Sequence, residues 1–377
     1  MNAGRTYLDY NATAPLRLEA RAAMLAVLDL AGNPSSVHGE GRRARAVIET
    51  ARGSVAALVG ARPADVVFTS GASEANATVL AGGWDTIILS ALEHDSVRAS
   101  AKRSGARVID VPVTRDGLFD AGAFANLVLK EDITKLGRAL VCLQLANNET
   151  GVSQPVAEVA AFARAHGLAI HCDAVQAPGR IAVDCAALGV DYLAISAHKL
   201  GGPKGAGALV MVDGAPLPPL IAGGGQERGR RAGTENVAAI AGFGAATQIA
   251  KQDLAAIERI RALRDTFEQR ITHSAPHALI IGQAAERLAN TSCIAAPGLA
   301  AEITVIRMDL AGIAISAGAA CSSGKVGQSA ALTAMGLAPD VARAAIRISF
   351  GQASTARDVD AFLAVWTTLA AAHRRAA

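Results

Sequence analysis

From about residue 55 to 215, short apolar runs alternate with amphipathic stretches. The runs are DVVFTS, TIILS, RVIDVPV, ALVCLQL, LAIHCD, VDYLAIS and AGALVMV. Their length and β-branched content predict strands, and the segments between them predict crossover helices, so the fold class is α/β with a mainly parallel seven-stranded sheet. Ligands of open α/β sheets collect at the carboxyl ends of the strands. That directs attention to residues 71–76, 93–95, 147–151, 173–176 and 196–199. After the glycine-rich AGGGQERGRRAGTEN, a helical pattern runs from about Val237 to Ser274, and strands are expected near LANTSCIA, EITVIRMD and AIRISF. The helix reads as a bridge to a second domain, and the remainder with its strands as a smaller α+β unit. The expected division is a large domain over 11–255 and a small one made of 1–10 and 256–377.

Composition supports this reading. A chain of 377 residues exceeds the usual reach of one core. With 51% apolar and only 3% aromatic residues, it suits helices packed closely on a parallel sheet. The net charge of +3 is spread along the chain, which excludes the basic stripe of a nucleic-acid binder. The cluster Arg228, Arg230, Arg231 is short enough to be an anion site or a solvated turn. No run of eighteen apolar residues occurs, and MNAGRTYLDY lacks the pattern of a signal peptide, so a cytoplasmic protein with no membrane contact is expected. Five cysteines without a CxxC pair argue against a disulfide framework or a metal site.

The chemistry concentrates at the strand ends. In ISAHKLGGPKGAGALV, Lys199 follows a strand and a Ser-Ala-His turn, and is the candidate for a Schiff base. Upstream, the run AIHCDAVQ ends in Asp173, a carboxylate suited to a pyridinium nitrogen or else to a helix cap. FTSGASEAN places Ala72 and Ser73 at a helix start, where free backbone N–H groups favour a phosphate. His94, in EHDS, can stack on a ring and move protons, or fill the core. Cys321 lies in SAGAACSSGKVG beside Lys325, the one cysteine in a small-residue loop near a cation. Arg347, in AIRISF, can clamp a carboxylate. GAACSSGKV and GPKGAGAL fail the spacing of phosphate-loop and dinucleotide fingerprints.

These residues resemble the cysteine desulfurases of the NifS and IscS branch. The resemblance runs from YLDYNATAP through GNPSSVH, TSGASEAN, EHDSV, NNETGVSQP, SAHKLGGPKGAGAL, GGGQERGRRAGTEN and SAGAACSSG to IRISFG. It implies the fold-type I architecture of pyridoxal 5'-phosphate transferases and a homodimer with two active sites at the subunit interface. Carried over by motif, Lys199 would bind the cofactor covalently, Asp173 would hold the pyridine nitrogen and Gln176 the ring hydroxyl. Ala72, Ser73, Ser196 and His198 would hold the phosphate, and Thr234 would reach the phosphate of the other subunit. His94 would stack on the ring, while Asn148, Arg347 and Asn33 would position L-cysteine. Cys321 would become the persulfide and pass sulfur to an acceptor protein, with iron-sulfur cluster assembly the implied destination. Ser73 stands where threonine is commoner and keeps the hydroxyl. The spacing from Cys321 to Arg347 resembles the branch with the longer cysteine loop. A selenocysteine lyase, a transaminase of the same fold and a non-catalytic scaffold are the alternatives.

Overall fold

The computed structural model describes residues 4–130, 133–318 and 329–376. All seven predicted runs join one sheet, in the order Val66–Thr69, Gly207–Met211, Tyr192–Ser196, Ala169–Asp173, Ala139–Cys142, Thr86–Ser90, Arg107–Val111. Gly207–Met211 runs antiparallel to both neighbours and every other pairing is parallel. Alternate side chains feed two apolar layers. Ile88, Val141, Leu193 and Val210 enter one; Ile87, Leu89, Leu140 and Leu209 enter the other. Burial on both faces explains why the strands other than the partly exposed edge strand Arg107–Val111 read as mostly apolar runs rather than as alternation.

A four-stranded sheet built from Leu279–Ile280, Thr291–Ala295, Ser316–Ala317 and Ala345–Ser349 lies in the C-terminal third. Its core includes Phe267, Phe350, Phe362 and Trp366. The N-terminus reaches this region, since Thr6–Tyr7 pairs in parallel with Ile313–Ala314.

Two expectations change. EITVIRMD is not a strand but part of the helix Ala301–Leu310. Ala301, Thr304 and Met308 are buried while Ile303, Ile306 and Leu310 are exposed. That is helical spacing, and packing of one face overrides the β preference of Ile, Thr and Val. The helical stretch 237–274 is two helices, Val237–Asp253 and Ile257–Ser274, joined by the 3-10 turn Leu254–Ala256. Asp253 pairs with Arg17 at this bend, and Arg259 donates to the Ser354 carbonyl at 2.8 Å. No helix among the described residues is long and apolar enough to cross a membrane.

Candidate active site

Four strand ends converge on one cavity of about 580 Å³. Ala169–Asp173 delivers Asp173 as its last residue. Tyr192–Ser196 runs through a single 3-10 turn to Lys199. Thr86–Ser90 leads to His94, the cap of the helix Asp95–Arg103. Val66–Thr69 turns through Gly71 into the helix Ala72–Leu80. A Cβ at Gly207 would lie 2.6 Å from the Gly71 Cα, so glycine there lets the turn seat against the neighbouring strand.

The wall includes Ala72, Ser73, His94, Asn148, Asp173, Gln176, Ser196, His198, Lys199 and Arg347, all predicted. Asn33 and Thr234 are exposed and do not line it within this chain; Asn33 Oδ1 accepts instead from the Ser35 N–H at 2.9 Å. Cys321 and Lys325 lie outside the described residues.

Asp173 is 8% exposed. Its Oδ1 accepts from the Val175 N–H at 3.0 Å and its Oδ2 from Asn76 Nδ2 at 2.9 Å. A carboxylate only accepts, so this contact fixes which end of the Asn76 amide is nitrogen. The amide oxygen then faces His171 Nε2 at 2.9 Å. His171 is fully buried, and burial pushes its pKa down to about 4. It stays neutral and donates from Nε2.

The same network sets His94. Asn76 Nδ2 also donates to Ser96 Oγ at 2.9 Å, which leaves the Ser96 hydroxyl proton for His94 Nδ1 at 2.8 Å. The Ser96 backbone N–H reaches Nδ1 as well, at 3.1 Å. With Nδ1 accepting as a helix cap, the neutral ring carries its proton on Nε2. Asn76 therefore organises both Asp173 and His94. The sequence offered only the generic helix start around it.

Lys199 Nζ donates to the carbonyls of Asn11 and Ala12, the latter at 3.0 Å. Asn11 is buried, and its amide nitrogen donates to Thr291 Oγ1 at 2.9 Å. The N-terminal YLDYNATAP thus forms part of the cavity wall. His198 Nδ1 lies 3.2 Å from Thr13 Oγ1, and burial together with Lys199, Lys204 and Arg180 depresses its pKa to about 4.

Arg347 is 2% exposed, in the strand Ala345–Ser349. Nη2 donates to Asp9 Oδ1 at 2.7 Å and Nη1 to the Asn148 carbonyl at 3.1 Å. Its Nε has no partner among the described residues. The cation is anchored by one carboxylate and one carbonyl.

Two acids fall within the strand-end ranges 93–95 and 147–151, although the sequence assigned neither a role. Glu93 is buried and burial raises its pKa to about 8; Oε1 accepts from the Gln144 N–H at 2.7 Å. Glu149 is pushed up to about 7, chiefly by burial, and accepts from Ser329 Oγ at 2.6 Å. Nothing in a linear motif separates such acids from solvated ones, because burial depends on what packs above them. The cysteines Cys142, Cys172, Cys185 and Cys293 are buried, and burial raises each thiol above its ordinary range. They are held as unreactive thiols.

The donor set fits a phosphorylated pyridine aldehyde. A buried carboxylate suits a protonated ring nitrogen, the amides at the start of Ala72–Leu80 suit a phosphate, and Lys199 opens on the same cavity. Fold and cavity together define an α/β protein whose lysine, buried carboxylate and helix start meet on one cavity at the sheet's carboxyl edge.

Comparison with known proteins gives the family. The model of the class-V aminotransferases matches residues 6–362. A cysteine desulfurase of Cereibacter sphaeroides is 41% identical over 374 residues, covering 96% of this chain and 94% of the relative. The cysteine desulfurase IscS of Dictyoglomus turgidum is 37% identical, covering 94% and 91%. The X-ray structure of a NifS-like protein from Rickettsia africae superposes with a TM-score of 0.90 at 33% identity, covering 97% of this chain and 99% of that one. The chain belongs to the class-V aminotransferase family and, within it, to the NifS- and IscS-like cysteine desulfurases, a pyridoxal-phosphate-dependent group.

Proposed function

We propose that this chain takes sulfur from L-cysteine, releases L-alanine and carries the sulfur as a persulfide on Cys321 to an acceptor protein of iron-sulfur cluster assembly. The carrying observation is the convergence of Lys199, Asp173, His94, the Ala72–Leu80 helix start and Arg347 on one cavity. Pyridoxal phosphate, when bound, supplies an electron sink for charge developing on the substrate carbon. Asp173 would hold the proton of its ring nitrogen, and Lys199 would hold it covalently until the amine of cysteine displaces the lysine. Ala72, Ser73, Ser196 and His198 hold its phosphate, and Gln176 its ring oxygen. Arg347 takes the substrate carboxylate, helped by Asn148. His94 Nδ1 is engaged by Ser96 and its Nε2 carries the ring proton, so the freed Lys199 amine is the base that accepts the proton from the α carbon. The Cys321 thiolate then attacks the substrate sulfur. An S–S bond forms as the C–S bond breaks, and its electron pair stays with the three-carbon fragment, which becomes alanine on protonation.

The functional unit in this reading is a cytoplasmic homodimer. Leu16, Leu18, Leu25, Leu28, Val37, Leu220 and Ile221 are all exposed, large apolar side chains of the kind a second copy would cover. Thr234 and Asn33, both outside the cavity in one chain, would act across that interface. The division into 11–255 and 1–10 with 256–377 is part of the same proposal, supported by the separate apolar cores around the two sheets.

The test is direct. Purified protein given L-cysteine forms alanine and a persulfide on Cys321, detected by alkylation and mass spectrometry. Lys199→Ala abolishes borohydride-stable cofactor attachment. Cys321→Ala keeps the visible absorbance but loses sulfur transfer, and an undiminished sulfide yield from it would refute the role of Cys321. Selenocysteine and keto-acid acceptors, run in parallel, separate the lyase and transaminase alternatives.

A further inference from the structure

Behind the cavity wall sits a buried cation that the mechanism does not use. Arg180 is 8% exposed. Its Nη1 donates to the Gln176 backbone carbonyl at 3.0 Å and also to Gln176 Oε1, and its Nη2 donates to the Tyr10 carbonyl at 3.3 Å. Every acceptor is neutral, and no carboxylate pairs with it among the described residues. Arg180 lines a smaller cavity of about 190 Å³ that Lys199 also borders. The other charges there are Arg17 and Asp253, which pair with each other. A buried charge without a counter-ion is expensive and is kept where something anionic completes it.

Gln176 shows where that anion would lie. Its amide oxygen is engaged by Arg180, so the amide nitrogen is the end left for the main cavity, which Gln176 lines. That nitrogen donates to the Asn11 carbonyl at 3.1 Å, the same carbonyl that receives Lys199 Nζ. One hydrogen of the amide is thus spent and one remains.

We infer that Arg180 is a positioning residue for the cofactor: it fixes the Gln176 amide with its nitrogen toward the cavity and supplies the buried positive charge that an ionised aromatic hydroxyl oxygen requires. This rests on the pyridoxal-phosphate reading of the cavity. The Arg180 guanidinium is itself depressed to about 9 by burial and by the like charge of Arg347, as expected of a cation lacking its counter-ion.

The full chain is tested as wild type, Arg180→Met and Arg180→Lys, each stripped of cofactor and reloaded with pyridoxal phosphate. Three quantities are read: cofactor dissociation constant, the rise in thermal midpoint that the cofactor adds, and the pH at which the bound cofactor's visible band converts. Arg180→Met is expected to weaken binding, to shrink that rise, and to move the spectral transition upward by about one pH unit, a tenfold gain in proton affinity on losing a nearby cation. Arg180→Lys restores most of the spectral position. A methionine variant whose apo protein is destabilised, while the cofactor's added stability and the spectral transition stay as in the wild type, shows a merely structural arginine and overturns the inference. Wild-type protein that binds no pyridoxal phosphate removes the cofactor reading itself.

Discussion

Asn76 donates its side-chain amide to Asp173 at 2.9 Å, and its orientation is locked from behind by the neutral, buried His171. This one amide orients two side chains of the cavity wall, since its second hydrogen goes to Ser96 and, through Ser96, sets His94. Asn76→Ala is therefore expected to lower kcat/KM by about tenfold or more, the scale of one or two lost buried hydrogen bonds at about 1–3 kcal/mol. Asn76→Asp is expected to do worse, because it places a second carboxylate against Asp173. Steady-state alanine production and cofactor affinity check both. Equal activity of Asn76→Ala and wild type would remove Asn76 from the site's support.

Asp9 is the carboxylate that accompanies the buried Arg347 guanidinium, at 2.7 Å. Removing one partner of a buried ion pair strands the other. Asp9→Ala should cost about 3 kcal/mol of stability in chemical denaturation and raise KM for L-cysteine, whereas Asp9→Asn keeps an acceptor and should recover part of both. An Asp9→Ala protein of wild-type stability would show that Arg347 needs no such partner.

Glu93 gives the fold an alkaline weakness. Burial raises its pKa from 4.5 to about 8. The folded state therefore binds a proton more tightly than the unfolded chain. Its stabilising share is complete below the unfolded pKa and is lost as pH rises through about 8. Thermal midpoints should fall between pH 6 and 9. Glu93→Gln keeps an amide oxygen for the Gln144 N–H and should flatten that decline. His171 and His198, both depressed to about 4, act in the opposite sense, with their contribution present above about 6.5 and lost as pH falls through 4. A Glu93→Gln profile parallel to wild type between pH 6 and 9 counts against this account.

Glu227 fastens the glycine-rich segment to the sheet edge. It receives Arg52 through both oxygens, at 2.6 and 2.9 Å, and Oε2 also accepts the Phe68 N–H at 2.9 Å. Glu227→Ala should destabilise the chain by about 3 kcal/mol, because the buried Arg52 guanidinium keeps only the more exposed Glu49 carboxylate as a charged partner. Because Thr234 follows in the same segment, it should also weaken dimerisation or phosphate binding, measured by sedimentation and cofactor titration. Unchanged stability would mean that Arg52 finds another acceptor.

The local pattern of the chain determined a great deal here. Seven runs became seven strands, all but the edge strand Arg107–Val111 because residues buried on both faces of a sheet must be mostly apolar, and that demand is visible in a linear string. Lys199, Asp173 and His94 stood out for a different reason: in a parallel sheet the residues just past the strands face the edge where ligands collect. EITVIRMD misled because β-branched residues suit both strands and buried helix faces, and only the packing of Ala301, Thr304 and Met308 against the core selects the helix. The tertiary structure alone decided the rest. Asn76 meets Asp173 and His171 across 97 and 95 positions, and Asp9 meets Arg347 across 338. Whether Arg180 or Glu93 is buried depends on what distant segments pack over them. Hydrogen bonds and desolvation act through space within a few ångströms, and no spacing rule along the chain records which residues come that close.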